Sequence, residues 1–424
     1  MAERKNYRLR AGRIVFRVRY LYLAVLFGVQ GCTAQRPVEP LTPPRLTVEA
    51  EGLAPVTDHG KLLARKQALQ DAVRQASWQA GVTTQGVTSM RQDGILFDAF
   101  TMRTGSWVNF ANVLREWEEE GLYHVRAQVT LSASDYCLPQ YRKRIVATGF
   151  PLVKQGQLGG MESQDIPNGI PREIMNLMVQ SGEFIGDDQT HTAVYRVADR
   201  APSVTDFQPY TQSHILSVAS QQGAQFVLSG VIRDLQIDPA DNVAGAGLIA
   251  MAKNLARGVW GKRTIGVDIY VHDGFSGALL TQYRYTDAVI GDVWIPASYS
   301  VGSEGFRDHS VGARLSDIID KASLDIRKAL SCYPFTTRII KIEGDKVYID
   351  AGAQERLNIG DQLIVYGNVG GELHIHGGRE FIGHDKQPVG VLTIRELQPR
   401  YAVGNMEVPP SQSGVGIGDW VRSW

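Results

Sequence analysis

The sequence predicts a multidomain chain of α+β and α/β type: a small N-terminal α+β domain, a middle α/β domain with a mixed sheet, and a small C-terminal all-β barrel. Three observations carry this reading. Strand and helix periods follow one another within residues 46–135, they alternate through residues 141–332, and over residues 336–424 Gly and Asp turns separate short strands with no helical period left. A hydrophobic content of 43% in 424 residues is enough for two or three cores of ordinary domain size.

Residues 1–31 stand apart from these domains. Arg4, Lys5, Arg8, Arg10, Arg13, Arg17 and Arg19 precede an apolar run from Tyr20 to Val29, too short to span a bilayer and suited to a signal h-region. They read as an export signal. Val29-Gln30-Gly31-Cys32 resembles a lipobox, with Gln30 in place of the usual small residue, so two processing routes stay open. Either Cys32 becomes an acylated N-terminus, or cleavage near Ala34 leaves a soluble periplasmic protein. Both place the remainder outside the cytoplasm. Pro37, Pro40, Pro43 and Pro44 make residues 32–45 an extended spacer.

In the first domain Leu62, Leu69, Ala72, Val73, Ala76 and Ala80 recur at helical spacing, with Asp58 placed to cap the helix and Gly81 to end it. So alanine-rich a stripe predicts a helix lying close on a sheet. Leu122–Leu131 alternates as a strand, and Glu116–Glu120 reads as the solvated turn before it. Trp78 sits about 140° from Val73 around the helix. That position fits a partner contact or a cover for the sheet edge.

The middle domain reads as a strand at 145–150, helices at 171–180 and 210–222, and a buried strand at 226–232. A hairpin follows around Asp273-Gly274-Phe275-Ser276-Gly277, and an amphipathic helix at 315–330 closes the domain. Short strands at 338–342, 346–350, 361–366, 390–396, 401–407 and 419–421 predict the barrel.

Charge and cysteines narrow the function classes. Lys plus Arg and Asp plus Glu number 44 each, but residues 1–31 carry seven basic residues and one acidic, so the exported part has about six net negative charges. No basic face for nucleic acid is expected. Beyond Cys32 only Cys137 and Cys332 remain, and an even count in an oxidising compartment favours a disulfide, the alternative being two buried thiols.

Catalytic patterns fail on spacing. Gly261-Lys262-Arg263 lacks the Ser or Thr and the upstream Gly of a phosphate loop, and Gly245-Ala246-Gly247 lacks the downstream Gly of a dinucleotide fingerprint. Asp308-His309-Ser310 are neighbours and cannot converge as a triad, and Val301-Gly302-Ser303-Glu304-Gly305 misses the nucleophile-elbow spacing. His374, His376 and His384 form a weak metal candidate, offset by Gly377-Gly378 and Gly383, which mark an exposed hairpin tip where polar residues are ordinary. No enzyme activity and no cofactor are expected.

Several segments resemble the flagellar assembly protein T family. They are Val48-Glu49-Ala50-Glu51-Gly52, the helix from Ala64 to Ala72, the Tyr141–Pro151 segment, Gly223-Ala224-Gln225-Phe226-Val227-Leu228-Ser229-Gly230, Val347-Tyr348-Ile349-Asp350-Ala351-Gly352 and Leu357-Asn358-Ile359-Gly360-Asp361. The middle block is also similar to the amino-terminal domain of the Tol translocation protein B and to curli-secretion lipoproteins. The resemblance implies a structural protein of the flagellar basal body, self-associated into a periplasmic outer ring near the outer membrane. Its implied partners are other basal-body ring proteins and the periplasmic stator-associated proteins. A secretion-accessory lipoprotein bound to an outer-membrane channel is the alternative, and a metal-dependent envelope hydrolase a more distant one. The stretch from Gly370 to Lys386 looks additional to the barrel. Trp78, Trp294, Tyr299 and Phe306 are the candidate interface residues, since aromatic side chains commonly dominate protein contacts, with internal packing the alternative for the loop that carries Trp294, Tyr299 and Phe306.

Overall fold

Alanine and glycine set the geometry of the first folded part. The computed structural model describes residues 45–79, 107–132, 137, 139–158, 163–195, 197–202, 209–237, 261–295, 297–375 and 380–423. Strands β1 (Arg45–Pro55), β2 (Trp107–Glu119) and β3 (Leu122–Ser132) form an antiparallel sheet in the order β1-β3-β2. Helix α1 (Lys61–Gln79) lies across it. Ala68, Ala72, Val73 and Ala76 pack on Ala50, Ala54, Val125, Ala127 and Val129. The approach is so close that a Cβ on Gly52 would lie 2.1 Å from both the Ala68 carbonyl oxygen and the Ala72 nitrogen.

Two local expectations need correction. The acidic run is the end of β2, and only Glu120-Gly121 turn, both with positive φ. Glu116 and Glu118 belong to the strand because they meet cations on α1: Arg65 Nε donates to Glu116 at 2.6 Å and Lys61 Nζ to Glu118 at 2.7 Å. Nor does Asp58 cap α1. Leu62 N donates instead to Glu407 Oε2 of the barrel at 2.8 Å, placing a carboxylate at the helix N-terminus, where unsatisfied N–H groups and the helix dipole favour it.

The middle part is a five-stranded mixed sheet ordered β5-β4-β6-β7-β8. Its strands are β4 (Lys143–Gly149), β5 (Phe184–Ala193), β6 (Phe226–Asp234), β7 (Gly261–Asp273) and β8 (Leu279–Gly291). β5 and β6 run parallel to β4, whereas the β6/β7 and β7/β8 pairs are antiparallel. Helices α2 (Ile166–Gln180) and α4 (Ser310–Ser331) cover one face, where Ile145, Ala147, Phe226 and Leu228 meet Ile170, Ile174, Leu315 and Ile319. Helix α3 (Pro209–Gln222) covers the other through Ile215, Val218 and Ala219 against Val146, Val227 and Val231. Burial on both faces explains why β4 and β6 read as continuous apolar runs.

The last part is a closed barrel of six antiparallel strands, β10-β13-β12-β11-β14-β9. They span β9 (Thr336–Glu343), β10 (Lys346–Ile349), β11 (Gln362–Ile375), β12 (Glu380–Leu397), β13 (Ala402–Met406) and β14 (Trp420–Arg422). Val347, Ile349, Leu363, Val365, Val389, Leu392, Ile394 and Val421 fill it. The described residues of the Gly370–Lys386 stretch continue the β11/β12 ladder past Tyr366↔Pro388 to Ile375↔Glu380.

Buried contacts join the middle sheet to the barrel. Arg144 on β4 is 6% exposed and Glu355 is 1% exposed; Arg144 Nε donates to Glu355 Oε1 at 2.7 Å and Gly352 N to Glu355 Oε2 at 2.6 Å. Gln225 donates through Nε2 to Pro334 O at 2.6 Å and accepts from Thr336 N at 3.1 Å. The Arg338 guanidinium lies over the Phe275 ring at 4.5 Å, and Phe275 meets Trp420 edge-on. Cys137 and Cys332 are disulfide-bonded with their Cα atoms 5.0 Å apart, so the segment entering the middle part is bound to the residue that ends α4. Beside the bridge, Lys143 Nζ donates to Leu330 O and Ser331 O at 2.7 and 2.9 Å, and burial lowers this ammonium to about 7.

Candidate interaction surfaces

The segment after β8 is held from below. Arg263, fully buried, donates through Nη1 to Val293 O at 2.7 Å and through Nε to Leu235 O at 2.9 Å. Ser163 N donates to Ile295 O and Ser163 Oγ to Tyr299 O, each at 3.1 Å. Asp165, paired with Arg172, accepts from Val301 N at 3.1 Å. Ile295 and Val301 are buried between these ties. Trp294 (43% exposed) and Tyr299 (37% exposed) therefore project from an anchored loop, close in sequence to the exposed Ile290 of β8. The Tyr299 ring is further fixed beside His309, with centroids 5.3 Å apart. Apolar side chains on a loop already held in place lose little freedom on binding, which is what an interface anchor needs.

Phe306 is a correction. At 1% exposure it packs with Ile295, Val301, Val311 and Leu315 in the middle core, so it supports the loop and offers no surface. Its burial follows from a turn of helix at Glu304–Arg307, capped by Ser303 Oγ accepting from Phe306 N at 3.2 Å. Capping thus accounts for the serine of the Gly302-Ser303-Glu304 segment.

A second aromatic surface escaped the sequence reading. On the face of the first sheet turned away from α1, Trp117 stacks on His124 at 4.7 Å, and the Arg115 and Arg126 guanidinium groups stand 5.0 and 5.9 Å from its ring centroid. Glu51 accepts from Arg126 and contacts His124 Nδ1, and these hydrogen bonds, Arg126 first, hold its carboxyl below the usual range. The readable signal was Trp117 paired across the ladder with His124, visible only once the Glu-rich run is read as a strand.

Other predicted residues are placed as follows. Trp78 lies in α1 with its side chain outside the described residues, and Cys32 is outside them altogether. His374 and His384 lie in β11 and β12 with side chains outside the described residues, as is His376 entirely. Among the described residues no group of three or more His, Cys, Asp or Glu could hold a metal. None of their helices is long and apolar enough to cross a membrane.

Comparison with known families adds what geometry alone does not supply. Residues 46–133 match the family model of the flagellar assembly protein T N-terminal domain, and residues 136–300 match that of its middle domain, together more than half of the chain. The chain belongs to the flagellar assembly protein T family. Its role therefore lies in flagellar assembly, with the basal body as the consistent location. No curated protein matches it in sequence.

Among solved structures, the hypothetical protein CT253 from Chlamydia trachomatis is 15% identical, with a TM-score of 0.30 over 45% of this chain and 98% of that one. The PelC dodecamer from Paraburkholderia phytofirmans is 15% identical, with a TM-score of 0.23 over 52% and 98%. The LpoB C-terminal domain from Salmonella enterica is 12% identical, with a TM-score of 0.20 over 35% and 83%. Scores this low carry no argument about function.

Proposed function

We propose that this chain is a non-catalytic building block of the periplasmic outer ring around the flagellar basal body, near the outer membrane, and that it helps recruit the stator-anchoring proteins. Family membership across residues 46–300 is the observation that supports this most. The buried links between the middle sheet and the barrel agree with it, since a ring subunit must transmit load without its parts separating. An export signal over residues 1–31 fits the compartment, and acylation of Cys32 would add an outer-membrane anchor.

A ring also needs two different complementary surfaces on each copy, because a self-complementary contact stops at a dimer. Trp294 and Tyr299 on their anchored loop supply one candidate, and the Trp117 face of the first sheet another. Electron microscopy of basal bodies purified with and without this protein tests the reading. Loss of an outer ring on deletion is the expected result. Intact rings without the protein, or localisation away from the flagellar pole, sinks it.

A further inference from the structure

A strand at the edge of a sheet carries a row of free N–H and C=O groups that another strand can take up, and proteins blunt such edges with bulges, charges, proline or a covering element. Most open edges of this chain are blunted in that way. In the first sheet, β1 ends in Pro55 and its Leu53 N donates to Asp71 of α1 at 3.1 Å, while β2 is interrupted by register shifts at Val108/Phe110 and Val113/Arg115. In the middle sheet, the β4/β5 ladder shifts at Thr148/Gly149, and β5 carries Asp187 and Asp188, the second accepting from Thr190 N at 2.9 Å. The barrel is closed, and the β11/β12 ladder outside it shifts at Asn368/Glu372 and Leu373/His374.

The free edge of β8 is different. From Thr281 to Gly291 this strand pairs with β7 in unbroken register, roughly 34 Å of edge at about 3.4 Å per residue, and it holds no proline, lysine or bulge there. Among the described residues no strand lies on its far side. Its charges do not guard it: Arg284 turns Nε and Nη2 onto Asp268 of β7, and Asp287 faces Arg314 of α4 at 3.8 Å while its Oδ1 accepts from Ala288 N at 2.7 Å. That local bond shows the Ala288 N–H pointing away from the β7 ladder. The two-residue period then gives Gln282, Arg284, Thr286 and Ile290 the same outward direction. Ile290, 72% exposed, sets an uncovered apolar side chain on this edge.

We propose that this edge receives an extended segment of a different protein of the flagellar basal body, which adds to the middle sheet as a further strand beside β8. The proposal rests on the assembly role above and specifies the kind of partner recruited: a strand of about ten residues held through its backbone, with an apolar side chain where it passes Ile290. A second copy of this chain fits less well. With the other edges blunted, a copy has only its own β8 to offer, and such a self-complementary pair stops at a dimer.

The test uses the full chain. Hydrogen exchange of the 279–291 peptide is followed by mass spectrometry in the purified mature protein and in basal bodies isolated from cells. Exchange should be fast in the free protein and slower by about a hundredfold or more in basal bodies. A photoreactive residue placed at Gln282 and irradiated in cells should join the chain to a different protein. Thr286→Pro should abolish that product and still melt as wild type, since proline is tolerated on an edge whose N–H faces outward. If Thr286→Pro fails to fold, Ala288→Lys combined with Ile290→Lys makes the same test.

Slow exchange of β8 already in the free protein, the mark of a chain that covers its own edge, overturns the proposal. So does a cross-link only between two copies, a cross-link that persists in the folded edge variants, or exchange of β8 as fast in basal bodies as in solution. Each of these leaves the ring reading standing, whereas basal bodies whose ring survives deletion of the protein remove both.

Discussion

Glu355→Gln should be far more damaging than its near-identical shape suggests. Both carboxylate oxygens are in use: Oε1 accepts from Arg144 Nε at 2.7 Å and Oε2 from Gly352 N at 2.6 Å. An amide has only one acceptor oxygen, so its NH2 must face one of two buried donors. The Arg144 guanidinium also loses its most buried counter-charge and keeps only Asp350, whose oxygen is 3.4 Å from Nη1. Removing one partner of a buried ion pair costs about 3–5 kcal/mol, and an unsatisfied buried donor alone costs about 1–3 kcal/mol. We expect about 4 kcal/mol, of the order of a thousandfold in the unfolding equilibrium. Urea unfolding of the purified mature chain, followed by hydrogen exchange at β4 and at residues 350–357, would measure it. The double change Arg144→Met with Glu355→Leu should recover the part of the loss due to the unpaired Arg144 charge, while Gly352 N still lacks its acceptor. A Glu355→Gln midpoint indistinguishable from wild type, or a double variant no better than the single, refutes the reasoning.

Further outcomes follow from other sites. Gly52→Ala should displace α1, since the new Cβ meets backbone atoms at 2.1 Å, and destabilise the first part by about 1–3 kcal/mol or more, read as faster exchange of α1 amides. His272, whose Nε2 is 2.8 Å from the Tyr195 hydroxyl, is lowered by burial to about 4. Its unfolded form takes a proton near pH 6.5 and its folded form does not until about pH 4, so stability is complete above pH 6.5 and falls by about 3 kcal/mol as pH drops to 4. His272→Gln should flatten that slope in urea midpoints taken at pH 7 and 4.5. Phe306→Ala should cost about 3–5 kcal/mol as a core truncation. Trp294→Ala, by contrast, should melt like wild type but yield basal bodies with defective rings, and normal rings would remove Trp294 from the interface.

What the sequence disclosed and what it withheld divide along a physical line. The Ala72, Val73 and Ala76 stripe, the doubly buried β4 and β6, and the evenly spaced barrel strands were legible because each is set by periodicity within one element. β5 was not, since Phe184-Ile185-Gly186-Asp187-Asp188-Gln189-Thr190-His191 is an edge strand with only Phe184 and Thr190 buried, and it has no apolar alternation to show. Glu116–Glu119 misled for a related reason: charges that read as a turn are paired with Arg65 and Lys61 of the helix above them.

Phe306 and Trp294 are equally aromatic and twelve residues apart, yet one is core and the other surface. What separates them is the Ser303 cap, which starts the helical turn that directs Phe306 inward, together with the Arg263–Val293 tie that leaves Trp294 on the rim. The α1 cap carries the point furthest. Asp58 had the right residue type three positions before the helix, but Glu407 of the barrel holds the site. A local rule can state that a helix N-terminus needs an acceptor, whereas only the assembled chain decides which acceptor arrives. Stability of the first part is therefore tied to the last, and loss of Glu407 should be felt at α1 before it is felt in the barrel that carries it.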